Sequence, residues 1–189
     1  TTANACGVWL ATKNGGRLTV KIEADELIVD LKLHGLHNAI NALTAISIAE
    51  TLNIPRSKII KALSDFRSVH GRLDFNQLSD SLLVIDDSYN ANPASLNAGI
   101  EVLSEVPGEH WLVLGDMGEL GGEVQRIHFD AGVYAKESGI NKLLAVGDNS
   151  RYAVEAFGND AIFFETKDKL VTYVQQYKSE SLNILVKGS

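Results

Sequence analysis

From Leu82 to Val186 the sequence repeats one phrase, a short apolar run followed by a stretch with helical rhythm. The runs are Leu82-Leu83-Val84-Ile85, Trp111-Leu112-Val113-Leu114, Lys142-Leu143-Leu144-Ala145-Val146, Ile162-Phe163-Phe164 and Ile184-Leu185-Val186. Helices are predicted between them over 93–103, 123–135, 151–157 and 167–177. A strand that is apolar at successive positions has to be covered on both faces, which is the condition of a strand inside a parallel sheet. Parallel neighbours in turn require a crossover, usually a helix. The region from Leu73 onward therefore predicts an α/β domain, a mostly parallel sheet with helices on both faces.

The first third reads differently. Val8-Trp9-Leu10 and Leu18-Thr19-Val20-Lys21-Ile22 flank a turn signal at Asn14-Gly15-Gly16, and Leu27-Ile28-Val29-Asp30-Leu31 follows as a third strand. Apolar residues at Leu36, Ala39, Ile40, Leu43, Ile46 and Ala49 then keep a 3.6-residue rhythm. Pro55 marks the start of a second helix with Ile59, Ile60 and Leu63 on its inner face. The boundary is expected near Gly71 to Leu73, dividing the chain into 1–72 and 73–189.

A length of 189 residues and 45% hydrophobic content allow one or two real cores and exclude a disordered tail. A formal charge of −7, with no basic patch visible, argues against a nucleic-acid partner and suits small-molecule ligands. The single cysteine, Cys6, cannot form an internal disulfide, so a reducing, cytoplasmic setting is expected. No apolar run approaches the roughly 20 residues of a membrane helix, and Thr1 to Leu10 has no leader pattern. The chain begins without Met and stops on Lys187-Gly188-Ser189 directly after a strand, so a piece of a larger enzyme, cut at both ends, is the expectation.

In open parallel sheets ligands gather at the carboxyl ends of the strands. That selects the loops Asp86–Asn92, Gly115–Gly122 and Gly147–Ser150, with Lys187-Gly188-Ser189 on the same edge. In Asp86-Asp87-Ser88-Tyr89-Asn90-Ala91-Asn92-Pro93, carboxylates can hold ribose hydroxyls or a metal-bound water, and amides can hold a peptide backbone or carboxylate. The same residues also suit a strand-to-helix turn in which Asn92 or an aspartate caps the helix. The density of polar groups favours a functional Asp87. The glycines of Leu114-Gly115-Asp116-Met117-Gly118-Glu119-Leu120-Gly121-Gly122 permit close approach to a ligand or simply make a turn. Asn38 and Asn41 share a face near a helix start, where amides can read a purine edge or cap the helix. His37 and His128 read as structural. Arg72, beside Gly71, can reach a phosphate across a cleft or sit on the surface. No Gly precedes a Lys, so no phosphate-binding P-loop is present; a zinc cluster and a G-x-S-x-G elbow are also missing from the sequence.

The pieces His37-Asn38-Ala39-Ile40-Asn41-Ala42-Leu43, Gly71-Arg72-Leu73, Asp86 to Ser95, Leu114 to Gly121 and Leu185-Val186-Lys187-Gly188-Ser189, in this order, resemble the amide-forming Mur ligases of peptidoglycan synthesis. The Asp-Ser-Tyr-Asn-Ala-Asn-Pro loop with Leu-Gly-Asp-Met-x-Glu-Leu-Gly resembles the branch that joins D-alanyl-D-alanine to UDP-N-acetylmuramoyl-tripeptide. The resemblance implies the strand-and-helix tail of a central ATPase domain followed by a Rossmann-like ligase domain. It implies ATP as a substrate and Mg²⁺ in the full-length parent, with the metal ligands, P-loop and UDP-sugar domain upstream of Thr1. It further implies that Asn38 and Asn41 face adenine, that Asp87 faces ribose, and that Arg72 faces the terminal phosphate as a catalytic group. Tyr89, Asn90, Asn92 and Asp116 would form part of the dipeptide pocket. The partners would be the two substrates and the parent's own missing domains, and the fragment alone would be inactive.

Two other readings stand beside it. Sister ligases add glutamate to folate or other amino acids to the muramyl stem, and the Tyr-Asn-Ala-Asn-Pro loop argues against them. Asp86-Asp87, Asp116 and Lys187 at strand ends also resemble, more distantly, a receiver-like phosphoacceptor or interaction module.

Overall fold

A computed structural model describes residues 5–12, 15–22, 24–118, 120–177 and 180–189. Asn14, the first residue of the expected turn, and Glu119 lie outside the described residues. The chain divides into two compact units, Thr1–Ser68 and Val69–Ser189.

In the first unit β1 (Ala5–Thr12), β2 (Gly15–Ile22) and β3 (Asp25–Leu31) form an antiparallel sheet in that order. Side chains alternate across a strand, so Leu18, Val20 and Ile22 share a face with Leu27, Val29 and Leu31. That face is buried against Ala39, Ala42 and Ile46 of α1 (Leu36–Thr51) and Ile59 of α2 (Arg56–Asp65). Charged partners decorate the other face: Arg17 and Asp30 stand opposite each other in the register and pair at 2.6 Å in solvent. Exposed pairs of this kind contribute little to stability. Leu36 and Ile40, expected on the inner face of α1, are exposed, as are Ile48 and Leu52. This helix is apolar on more than one side, and the single sheet covers only one of them.

The second unit is built on a six-stranded sheet of order β4-β5-β9-β6-β7-β8. Its strands are β4 (Asp74–Ser79), β5 (Leu82–Asp87), β6 (Glu109–Leu114), β7 (Lys142–Val146), β8 (Ala161–Phe164) and β9 (Leu182–Lys187). All pair in parallel except β4, which runs antiparallel to β5 at the edge. The apolar pattern predicts no strand at β4, because Asp74-Phe75-Asn76-Gln77-Leu78-Ser79 lacks a continuous apolar run. An edge strand needs none, and its residues are half-buried or exposed.

The placement of the helices follows from chain handedness. α3 (Pro93–Ser104), α4 (Val124–Glu137) and α5 (Ser150–Phe157) each follow a strand and lead to one farther in the same direction across the sheet, from β5 to β6, β7 and β8. Right-handed crossovers that advance the same way fall on the same face. Accordingly Leu96, Ile100, Ala131, Ala135 and Phe157 share one core with Ile85, Leu112, Leu143 and Leu185. α6 (Lys167–Gln176) carries the chain back from β8 to β9, and it packs on the opposite face through Leu170, with Trp111, Leu144 and Ile184. Among the described residues, helices thus cover both faces, three on one and one on the other.

Local chemistry fixes the helix positions. Pro93 occupies the first turn of α3, where a missing N–H costs nothing. Asn92 caps it: Asn92 Oδ1 accepts from Ser95 N at 2.9 Å, and Ser95 Oγ accepts from Asn92 N at 3.2 Å. α6 is anchored at the amino ends of the strands. There Glu109 accepts from Trp111 Nε1 (2.8 Å) and from the Tyr177 hydroxyl (3.1 Å), and the Lys142 ammonium lies 5.0 Å from the centre of the Trp111 ring. α4 and α5 meet at Gly132, where a Cβ would stand 2.2 Å from the backbone oxygen of Ala153.

Gly132 is therefore a test of packing against propensity. In a helix interior Ala is favoured over Gly by about 1 kcal/mol, but overpacking a backbone contact costs about 1–3 kcal/mol. Gly132→Ala is expected to destabilise the second unit. Urea denaturation followed by Trp111 fluorescence in a Trp9→Phe background measures this, and a raised midpoint would contradict it.

Candidate functional site

β5, β9 and β6 end side by side, and in the register Asp87 lies opposite Lys187, which lies opposite Leu114. Strand order folds back on itself here, since β9 is last in sequence and is flanked by earlier strands. Lys187 Nζ donates to Asp87 Oδ2 at 2.5 Å, with the two side chains 2% and 11% exposed. Removing two charges from water costs several kcal/mol per ion, so the pair is a weak net stabiliser but strongly penalises loss of one partner.

The second oxygen of Asp87 reaches back to the segment that opens this unit. Asp87 Oδ1 accepts from Leu73 N at 3.0 Å. Leu73 is buried and has φ 47, a left-handed backbone that costs a leucine roughly 1–2 kcal/mol. Two residues earlier, Gly71 has φ 75, and its carbonyl accepts from Tyr89 N at 2.9 Å. A Cβ at Gly71 would lie 3.1 Å from that nitrogen, so the turn depends on glycine both for its angle and for its clearance. Arg72, between these anchors, is exposed and stacks its guanidinium 4.3 Å from the centre of the Tyr89 ring.

The other wall of the crevice is the Gly115–Gly118 loop. Gly115 N donates to Lys187 O at 2.7 Å, Ser189 N to Asp116 O at 3.0 Å, and Gly118 N to Ser189 Oγ at 2.7 Å. Two buried or half-buried groups hold the loop from behind. His128, fully buried on α4, accepts from Met117 N through Nε2 (3.0 Å). Its Nδ1 lies 2.8 Å from Val124 O, so the proton belongs on Nδ1. The Asp116 carboxylate accepts from Asn149 N (3.0 Å), Ser150 N (2.9 Å) and Ser150 Oγ (2.8 Å), which secures the start of α5. Burial alone would raise the Asp116 carboxyl, but the bonds from Ser150 and Asn149 outweigh it and hold it below the usual carboxylate range.

The structure thus brings Arg72, Asp87 and Tyr89 together, with Asp116 on the facing loop. Asn90 and Asn92 are exposed at the mouth; Asn90 Oδ1 accepts from Ala91 N (2.7 Å), and Asn92 is the cap of α3. Asn38 and Asn41 belong to the other unit, on the first turns of α1. Asn38 Nδ2 donates to His34 O at 2.9 Å, and Asn41 is exposed. His70, exposed, lies 3.6 Å from Asp74 and 3.7 Å from Asp86. Among the described residues no three His, Cys, Asp or Glu stand together as metal ligands. Sequence reasoning does not reach Leu73 and Ser150 as working residues. It reaches Lys187 only through its position after an apolar strand on the ligand edge, its place in a motif of the family resemblance and the receiver-like set with Asp86, Asp87 and Asp116, not as a partner of Asp87. From this edge a groove of about 1040 Å³ runs along the α6 side of the sheet, floored by Val84, Val113, Ile184 and Val186.

Residues 71–189 match the family model described as Mur ligase, glutamate ligase domain. The chain is 37% identical over 180 residues to the UDP-N-acetylmuramoyl-tripeptide--D-alanyl-D-alanine ligase of Escherichia coli K12, covering 94% of this chain and 40% of that protein. The enzyme of the same name from Buchnera aphidicola of Acyrthosiphon pisum is 36% identical, covering 93% and 39%. Among solved structures, MurF from Acinetobacter baumannii superposes with a TM-score of 0.88 at 30% identity, over 98% of this chain and 42% of that one. The chain therefore spans about two fifths of the length of the curated relatives it matches.

The bonding of Asp116 has a pH signature. A carboxyl held below its unfolded value adds stability that is present above that value, near pH 4, and is lost as pH falls through the lower folded value. Asp116→Ala is expected to cost about 1.5–3 kcal/mol at pH 7 and to flatten the acid limb of the stability curve below about pH 4. Denaturant titrations of both proteins between pH 2 and pH 7 would show it, and parallel acid limbs would refute it.

Proposed function

This chain belongs to the Mur ligase family, and from that premise we propose that it is the carboxyl-terminal part of an ADP-forming amide ligase of peptidoglycan synthesis. The reaction proposed joins D-alanyl-D-alanine to UDP-N-acetylmuramoyl-tripeptide in the cytoplasm, where ATP is available. The observation that carries this reading is the convergence of Arg72, Asp87 and Tyr89 at the carboxyl ends of β5 and β9, beside the Asp116 loop. The names of the curated relatives support the substrate pair.

In this reading ATP phosphorylates the tripeptide carboxylate, the dipeptide amine attacks the resulting acyl phosphate, and phosphate leaves from a tetrahedral intermediate. Negative charge grows on the transferring phosphoryl group, and a preorganised cation facing it is worth most in the transition state. Arg72 is the cation that this chain supplies, held on a turn fixed at both ends. Asp87 is proposed to accept from ribose hydroxyls. A carboxylate has about four lone-pair sites, so the bonds to Leu73 and Lys187 leave acceptor capacity. Asn38 and Asn41 are proposed to meet adenine. Tyr89, Asn90, Asn92 and Asp116 would shape the dipeptide pocket, with Asp116 acting through the loop it secures. Mg²⁺, which would neutralise phosphate charge, is assigned to ligands in the rest of the parent, as the family resemblance implies. The phosphate-binding loop is likewise assigned to the parent, and the chain by itself is expected to release no phosphate from ATP with both substrates present.

The test uses the full-length parent, following phosphate release from ATP with the UDP-muramyl-tripeptide and one amine at a time. Release that depends on D-alanyl-D-alanine is the expected result. Release with a different amine would move the chain to a sister ligase, and no release with any amine would refute the ligase reading. Arg72→Ala in the parent is expected to lower kcat by about 10²–10³-fold; unchanged turnover would remove Arg72 from the site.

A further inference from the structure

We propose that Lys187 is a positioning residue for this reaction, acting through Asp87 and the backbone of Leu73 on the guanidinium of Arg72. The proposal rests on the ligase reading of Arg72 given above and adds to it the part of the structure that aims that side chain.

Lys187 is 3% exposed on the central strand, on the sheet face it shares with the buried Leu185, so an apolar residue would suit the position if packing were its whole purpose. A buried ion pair adds little net stability over a well-packed apolar pair. The ammonium is therefore better explained by the geometry it imposes than by the stability it adds. It donates to Asp87 Oδ2, at 2.5 Å. The carboxylate so oriented turns Oδ1 to Leu73 N, at 3.0 Å. Leu73 holds a left-handed backbone, and conformations of that kind persist only where their surroundings over-determine them. Here the surroundings are the Asp87 bond, the buried leucine side chain, and the Tyr89 N to Gly71 O bond on the other side of Arg72. Arg72 is thus bracketed by two fixed backbone points and stacked on Tyr89. Lys187, at the far end of the unit in sequence, is linked to the arginine through this relay.

Without the ammonium, the Asp87 carboxylate is left buried and unpaired, and it turns toward solvent. Leu73 then loses its acceptor, the strained turn relaxes, and Arg72 is no longer held where the phosphoryl group passes. A misplacement of about 1 Å at such a group costs on the order of 10²-fold in rate.

The experiment uses the full-length parent and measures kcat, KM for ATP and thermal midpoint for Lys187→Met, Arg72→Ala and the double variant. Lys187→Met is expected to lower kcat about 10²-fold. The double variant is expected to be no slower than Arg72→Ala, because the lysine has nothing left to aim. Unchanged kcat in Lys187→Met overturns the proposal, and so does a double variant slowed by the product of the two single factors. If Lys187→Met does not fold, combining it with Asp87→Leu removes the unpaired charge together with the acceptor of Leu73 N. That pair is then compared with and without Arg72→Ala, under the same criterion of non-multiplicative loss in kcat. Any effect of Asp87 on ribose is read separately in KM for ATP. Wild-type parent that releases no phosphate overturns the ligase reading and this assignment together, whereas normal wild-type turnover with multiplicative losses overturns only the assignment.

Discussion

The second unit depends on the docking of one strand. β9 is hydrogen-bonded to β5 on one side and to β6 on the other, so residues 182–187 join β4 and β5 to β6, β7 and β8 in a single sheet. Its side chains serve both faces: Leu185 enters the core beneath α3 and α4, while Ile184 enters the core beneath α6. The same docking sets Lys187 beside Asp87 and places Gly188 against Gly115, where a Cβ would stand 3.1 Å from the Gly115 Cα. Core, sheet continuity and both walls of the crevice are thus one structural event.

Electrostatics in the crevice is arranged around that strand in two independent clamps. On one side a buried lysine and aspartate orient a backbone turn, and on the other a depressed carboxylate secures a helix start while a neutral imidazole holds the loop before it. In each clamp an acceptor placed on one element satisfies an N–H of another, which is how side chains fix loops that lack regular pairing of their own. The loops at this edge are therefore held from behind, and their outward surfaces, at Arg72, Tyr89, Asn90 and Asn92, are exposed to solvent.

Much of this is legible in the sequence because it is local. Continuous apolar runs mark β5 to β9, Pro93 and Asn92 mark the start of α3, and the strand-end rule selects the loops that do converge. What is not legible is what depends on distant partners. Asp74 to Ser79 carries no strand pattern and becomes β4 only because β5 offers an edge. The interleaved strand order follows from how crossovers return, which no window of sequence records. Asp116 reads as part of a ligand pocket, and the partners of its carboxylate, 33 and 34 positions away, carry no local signal that pairs them with it. His128 reads as a packed or half-exposed side chain and is fully buried with both ring nitrogens engaged. The left-handed Leu73 has no residue-type signal, since leucine is a poor choice for that conformation and is held there by Asp87.

The central strand is made after the other five, and this has a consequence for how the unit is assembled. Until residues 182–187 leave the ribosome, β5 and β6 each present an unpaired edge, and the apolar side chains Leu112, Leu114, Val84 and Ile85 lack their neighbour on the sheet. Edges of that kind are templates for pairing with other chains. Nascent chains are therefore most open to edge-to-edge pairing in the interval before residues 182–187 join the sheet.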